Sequence, residues 1–314
     1  MKGRIVVAGG ANIDIIGWAD SSLLDHDSNP GSIRMEFGGV GRNIAQICAL
    51  LGKPVSLVTC FSADDFGQRM KEDCRQLGID CAQSFTFSDV QSSVYMAILD
   101  EKRDMRLALN DMHILQKMTP ALLENIPHSL QQNDILAADA NLEADSIRFL
   151  LENCSCMKAA DPVSVSKCGK FIPVLDRLDI FKPNRYEAER ISGIRPADEK
   201  SAAACLEWFR RQGVRETVIS LGEEGILLGT QDYKVHLRHE TVNVHNATGA
   251  GDAFLGAYMA ARLDGREALE AAGDGICAAV LTIENDAVRR RKLCSSMIEE
   301  KRNSLKIEEV RLCG

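Results

Sequence analysis

Among the 314 residues there is no G-x-x-x-x-G-K-S/T stretch, the loop with which Walker-type kinases and ATPases cradle phosphates. G-x-G-x-x-G is also missing, which removes the usual fingerprint of dinucleotide-binding folds. The six histidines show no H-E-x-x-H spacing, and the eleven cysteines form no C-x-x-C pair, only the "CSC" of Cys154 to Cys156. Zinc ligation is therefore not expected, and an odd number of scattered thiols reads as reduced core cysteines without disulfides. Basic residues are too few to outnumber acidic ones: 37 against 45 gives a net charge of −8. That balance argues against a nucleic-acid-coating surface or a basic membrane patch, so an anionic ligand has to be held locally by amides, a metal or a few cations. Long apolar runs are lacking too. "MKGRIVVAGGAN" has one short apolar run followed by glycines, so neither a signal peptide nor a membrane span is expected, and the expected location is cytoplasmic. No solenoid-period repeat and no low-complexity linker divides the chain.

What is present is a 45% apolar composition, enough to bury a substantial core. Short β-branched runs recur between helix-length segments: "RIVVAGG" from Arg4, "VSLVTCF" from Val55, "DILAAD" from Asp134, "CMKAAD" from Cys156, "DIFKPN" from Asp179 and "ETVISLG" from Glu216. Strands apolar on both faces and separated by helices predict a mainly parallel sheet covered on both sides. Two stretches break the rhythm, "DSSLLDHDSNPGSIRMEFGG" and the alternating pair "SSVYMAILD" and "RLALND" joined by "EKRD". Both predict antiparallel strands, which together would make a small sheet projecting as a lid. The expectation is one domain over residues 1–314, with a lid formed by about 15–37 and 92–110. "NIAQICALLG" sets Ile44, Ile47, Cys48 and Leu51 on one helical face and stops at Gly52, while "AGDAFLGAYMAARL" is apolar nearly all round and predicts a buried helix. The charged "RRRKLCSSMIEEKRNSLKIEEV" is compatible with a peripheral helix and with a loose tail.

The stretch "NATGAGDAF" supplies the chemistry. Gly249, Ala250 and Gly251 bare the backbone at a helix start, where unpartnered amides and the helix dipole form an anion site. An acid beside such a site, Asp252, costs Coulomb repulsion unless it serves a purpose. Phosphoryl transfer offers one: the amides stabilise charge on the equatorial oxygens, and the carboxylate accepts the proton of an attacking hydroxyl.

Other constellations carry two readings each. "GGVGRN" offers bare backbone at Gly38 and Gly39 with Asn43 nearby, a cradle for a polyol or a plain turn. "GGANID" puts Asn12 and Asp14 at a strand's carboxyl end, where open α/β sheets bind ligands, though Asp14 also suits a turn cap. In "KPNRYEAE", Asn184 and Glu187 form a capping pair, or Glu187 holds magnesium through water. "SLGEEG", with Ser220, Gly222 and Gly225, is a hairpin turn or a nucleotide-edge loop.

Taken in order, "NID", "GGVGRN", "KPNRYE", "SLGEEG" and "TGAGD" resemble the ribokinase-type (PfkB) carbohydrate kinase family over nearly the whole chain. The resemblance implies a ribokinase-like three-layer α/β/α domain with a small β-sheet lid, ATP with Mg2+ as phosphoryl donor, and a sugar or nucleoside hydroxyl as acceptor. "DSNPG", "GGVGRNIAQ", "NDM" and "DPVS" with Lys167 are most similar to the branch acting on pseudouridine, which implies pseudouridine or a related nucleoside as partner. By the same resemblance Asn12, Asp14, Gly38, Gly39 and Asn43 bind the acceptor's ribose and Asp252 deprotonates its 5′-hydroxyl. Gly249, Ala250 and Gly251 form the anion hole, and Asn184 and Glu187 organise phosphates and magnesium. Ser220, Gly222, Gly225 and the late helix around Cys277 border the nucleotide, and Ser93, Asn110 and Lys167 are the polar positions assigned to the base. Asn246 and Ala247 stand where many family members have aspartate and threonine; that aspartate belongs to a monovalent-cation loop, so potassium activation is left open. The exposed face of the lid also suggests a homodimer through it.

Overall fold

The computed structural model describes residues 3–244, 248–285 and 291–312. Nine strands among the described residues form one sheet. From edge to edge they are Val55–Val58, Ile5–Ala8, Ile135–Asp139, Met157–Asp161, Ile180–Phe181, Glu216–Ser220, Ile226–Gly229, Lys234–His239 and Ile307–Arg311. The first six run parallel and the last three antiparallel. Each expected strand is present, with one split: "VSLVTCF" leaves the main sheet after Val58, and Cys60–Ser62 pairs with Phe85–Phe87 instead.

Alternation divides the core into two layers. Ile5 and Val7 face one side with the helices Val40–Leu50, Ala250–Leu263 and Ala268–Glu284, and Val6 and Ala8 face the other with Ala144–Asn153, Arg185–Ser192 and Glu199–Arg211. Both faces are dry, which is why these strands read as continuous apolar runs. The helix Ala250–Leu263 is buried on most sides, as its composition predicts. Gly256 lets it lie against the helix Val40–Leu50, because a Cβ there would come within 2.7 Å of Ile47 Cβ. That close approach brings the first turns of the two helices side by side.

The late charged segment folds as the helix Ser295–Ser304 followed by Ile307–Arg311, which closes one edge of the main sheet. Leu293, Ile298 and Leu305 anchor it in the core. Ten described cysteines are free thiols, eight of them buried.

The four-stranded sheet has the order Gly31–Gly38, Asn12–Ala19, Val94–Leu99, Met105–Asp111. It departs from the all-antiparallel expectation at its centre, where Asn12–Ala19 and Val94–Leu99 run parallel. Two hairpins contribute one outer and one inner strand each, and both inner strands start from the same rim, where Ile13 N donates to Ser93 O at 2.9 Å. Starting together and leaving in one direction, they can only pair parallel.

Candidate active site

The site lies along the carboxyl ends of the parallel strands, where successive connections leave the sheet and open a crevice. Gly249 is the N-cap of the helix Ala250–Leu263 with φ 83°, a left-handed conformation that favours glycine. The turn leaves Ala250, Gly251 and Asp252 as the first three helical residues, with their amides free of intrahelical partners. Opposite, Gly39 caps the helix Val40–Leu50 at φ 97°, and a Cβ there would fall 2.5 Å from Gly10 O. The two glycine turns therefore face each other, and Asn43 Nδ2 donates to Asp252 Oδ2 at 2.8 Å.

A cavity of about 520 Å³ opens beside that bond, lined by Asp14, Gly38, Asn43, Gly249 and Asp252 among others. These sequence-predicted residues come from both sheets and from positions more than 200 apart in the chain. Asn12, buried, donates from Nδ2 to Asp14 Oδ1 at 2.6 Å and fixes the direction of that carboxylate. Across the small sheet, Asp14 pairs with Tyr95 and Tyr95 with Asn110, so Asn110 shares Asp14's face. Ser93 is buried beside Ile13, and its hydroxyl has no hydrogen-bond partner among the described residues. Lys167 donates to Asn141 Oδ1 at 2.7 Å, next to Gly10, whose absent Cβ would lie 2.6 Å from Asn141 Nδ2.

At the far side, Asn184 and Glu187 make the capping box of the helix Arg185–Ser192. Asn184 Oδ1 accepts from the Glu187 amide at 3.0 Å, and Glu187 Oε2 accepts from the Asn184 amide at 2.7 Å. Ser220 lies alongside Asn184, its amide donating to Pro183 O at 3.0 Å. Gly222 and Gly225 belong to the tight turn that joins Glu216–Ser220 to Ile226–Gly229, so "SLGEEG" forms a hairpin turn whatever else it borders. Gly225, at φ 89°, could not carry a Cβ, which would sit 2.1 Å from Leu237 O. Cys277 is not brought to the cavity: it is fully buried within the helix Ala268–Glu284, packed into the core, and its thiol offers a ligand no surface. One helix face serves the core, and Thr282, later in the same helix, lines the cavity instead. Asn246 and Ala247 lie outside the described residues.

Three groups escaped the sequence reading. Lys182, the lysine of "KPN", is buried, with Nζ 3.1 Å from Asp161 Oδ2 and against Gly251, where a Cβ would lie 3.0 Å from it. It sets a cation at the start of the helix Ala250–Leu263. Asp161 and Asp139 end neighbouring parallel strands. The Asp139 carboxylate accepts from the amides of Gly10 and Asn141, both at 2.8 Å. The strand-end position of both acids was the available signal, but an acid ending a strand is too common to single out without its neighbours.

Crowding sets the protonation of this cluster. Burial, then the negative charge of Asp161, pushes the Asp252 carboxyl up to about 7, against the opposing pull of Asn43 and Lys182. Burial and Asp161 likewise push Glu187 up to about 7. Burial draws the Lys182 ammonium down, but Asp161, Glu187 and Asp252 outweigh it and hold it above the ordinary lysine range. A carboxyl poised near neutrality beside three exposed-end amides and a cation can take a proton from a hydroxyl while an anion forms alongside. Among the described residues no cluster of three or more His, Cys, Asp or Glu side chains is arranged to enclose a metal. No described helix is long and apolar enough to cross a membrane.

Residues 2–291 match the profile described as pfkB family carbohydrate kinase. The chain is 34% identical to pseudouridine kinase of Escherichia coli over 84% of its own length and 85% of that protein's. It is 30% identical to the uncharacterized sugar kinase YeiI of the same organism, over 88% of this chain and 77% of that one. A carbohydrate kinase structure from Agrobacterium tumefaciens superposes with a TM-score of 0.85 at 29% identity, covering 98% of this chain and 100% of that one. Ribokinase from Thermotoga maritima shares the fold, with a TM-score of 0.83 at 24% identity over 95% and 98% of the two chains. With the profile spanning nearly its whole length, the chain belongs to the pfkB family of carbohydrate kinases and is a phosphotransferase whose acceptor is an alcohol group of a sugar or nucleoside.

Proposed function

We propose that the protein transfers the γ-phosphoryl group of ATP to the 5′-hydroxyl of pseudouridine. The observation that carries this reading is the joining of Asn43 to Asp252 at 2.8 Å on the wall of a cavity that also holds Asp14. The 34% identity to a pseudouridine kinase, against 23% and 24% to a ribokinase and a guanosine-inosine kinase, supports this choice of acceptor. Asn12, Asp14, Gly38, Gly39 and Asn43 hold the ribose hydroxyls, and Ser93, Asn110 and Lys167 read the base. Asp252 Oδ1 or Oδ2 takes the 5′-hydroxyl proton as that oxygen bonds to the γ-phosphorus, and ADP leaves with the bridging oxygen and its electron pair. The amides of Gly249, Ala250 and Gly251 donate to the equatorial oxygens, and Lys182 adds a fixed positive charge to the same place.

Asn184, Ser220, Gly222 and Gly225 border the nucleotide. Glu187 suits an outer role toward Mg2+: its carboxyl is buried and pushed up to about 7, so a nearby cation relieves it. Among the described residues no cluster of acids or histidines would enclose the ion, so Glu187 would hold it from outside its direct ligands. When bound, the ion would supply positive charge against the transferring phosphoryl group. The small sheet closes over the acceptor as a lid and excludes water that would otherwise consume ATP. Its outer apolar face pairs with a second copy in a homodimer.

A panel of pseudouridine, uridine, inosine, ribose and deoxyribose, assayed for ADP release with ATP and Mg2+, tests the acceptor. The highest kcat/KM is expected for pseudouridine. A preference for free ribose would instead favour the second reading, a sugar kinase, which the 30% identity to a sugar kinase supports.

A further inference from the structure

Arg42 is one of the largest fully buried side chains of the molecule, only 1% exposed, although it stands one residue from Asn43 at the mouth of the cavity. Its guanidinium is held from three directions. Nη2 meets Asp73 Oδ2, Nη1 donates to Phe37 O at 3.0 Å, and the same Nη1 reaches Asn43 Oδ1 at 3.4 Å. Asp73 is itself fixed on its other oxygen by Arg291 Nη2 at 2.6 Å. Burying a guanidinium is costly unless its charge and its donors are met, and Nε has no partner among the described residues, so an apolar residue would fill this space more cheaply. The arrangement makes sense through what lies beyond Asn43.

The Asn43 amide sits between two groups of opposite hydrogen-bonding character. A guanidinium can only donate and an ionised carboxylate can only accept. With Arg42 on one side and Asp252 on the other, only one flip of the amide is satisfied: Oδ1 toward Arg42 and Nδ2 toward Asp252, as observed. The reversed amide would set its oxygen against the carboxylate and its NH2 against the guanidinium.

We propose that Arg42 is a positioning residue for the phosphoryl-transfer base, acting through Asn43: it dictates the orientation of the Asn43 amide and so keeps a donor on Asp252. This inference rests on the proposed role of Asp252. Asn43 favours the ionised form of Asp252, so losing the correct flip raises the pH at which the base becomes available. Arg42 also favours the ionised form of Asp14, coupling the acceptor's anchor to the same cation. The other charges that face Asp252, namely Asp161, Lys182 and Asp139 from strand ends and Asp14 from the small sheet, are unchanged by substitution at position 42.

The test is the pH profile of kcat/KM for the acceptor. R42K keeps a positive charge, but its single ammonium serves Asp73 and leaves Asn43 Oδ1 without its donor. Its acid limb should move up by about one pH unit with a roughly tenfold loss of rate at pH 6, while thermal melting shows a folded protein. R42M should do the same or more. In an N43A background neither substitution should move the limb further, because the path through the amide is already cut. A folded R42K with the wild-type acid limb, or an equal shift of the limb with and without Asn43, overturns the inference. Should R42M fail to fold, R42K alone decides. D252N with undiminished turnover would remove the base reading itself, whereas an inactive D252N beside an unmoved R42K profile removes only the role of Arg42.

Discussion

The nine-stranded and four-stranded sheets use much the same apolar residues and expose them very differently. Leu57 in the large sheet is 0% exposed, while Ile33 and Leu109 in the small one are 78% and 64% exposed. Register explains the contrast. In the small sheet Met35, Ile15, Met96 and Leu109 form one row across the strands, and Ile33, Gly17, Ile98 and Leu107 the next, all on one face. The opposite face carries Glu36, Asp14, Tyr95 and Asn110 in a single row. The large sheet has helices on both sides and spends its apolar residues on stability; the small sheet has none and is free to present one polar face to a ligand and one apolar face to a partner. Under the proposed function the phosphoryl-transfer groups belong to the body of the large sheet, and the small sheet adds Asp14 and Asn110 to acceptor binding.

Four substitutions test that division. D252N, in the large body, should lower kcat by about 10²–10⁴-fold with nucleotide affinity retained in a fluorescence titration. D14N, in the small sheet, should raise KM for the acceptor more than it lowers kcat; equal effects on kcat would erase the distinction. Leu57→Ala should cost about 2–5 kcal/mol in a urea melt through the cavity it leaves. Leu109→Asp should change monomer stability by less than about 0.5 kcal/mol yet leave only monomer in sedimentation velocity. Loss of global stability at Leu109 would mean that the small sheet belongs to the core after all.

A pH-dependent effect separates the site from the scaffold. The folded protein keeps the Asp252 carboxyl protonated up to about pH 7, while the unfolded chain loses that proton near the ordinary value of 3.8. Between those limits the native state binds more protons, so stability at this position falls as pH rises and stays reduced above about pH 7. D252N removes the loss. Its unfolding free energy should exceed that of the wild type at pH 8, by a few kcal/mol at most given about 1.4 kcal/mol per unit, and the two should converge toward pH 4. A variant no more stable at pH 8 than at pH 4, relative to wild type, would place the carboxylate in a more hydrated setting than its surroundings indicate.

The local structure of the candidate site was legible where it is written in consecutive residues. The turn before Asp252, the turn before Asn43 and the Asn184–Glu187 capping box are local patterns, each legible because backbone geometry demands glycine or a capping side chain there. Lys182 was passed over because one lysine in "KPN" looks like any other until Gly251 is found against its ammonium. Arg42 was hidden for the same reason, since its partners Phe37, Asp73 and Asn43 span two helices and a strand. Cys277 went the other way: its position in the late helix suggested a nucleotide edge, but helical phase turned it into the core.

By itself the sequence determined the six parallel strands of the large sheet, their two-sided burial and the identity of the bare turns, because periodicity and φ requirements act over a few residues. Tertiary structure alone decided the parallel pairing at the centre of the small sheet, the return of residues 307–311 to the main sheet's edge, and the meeting of Asn43 with Asp252. Those outcomes depend on contacts between segments up to about 200 residues apart, such as Gly256 against Ile47. Their energies exist only once the helices have packed, so no local pattern could have announced them.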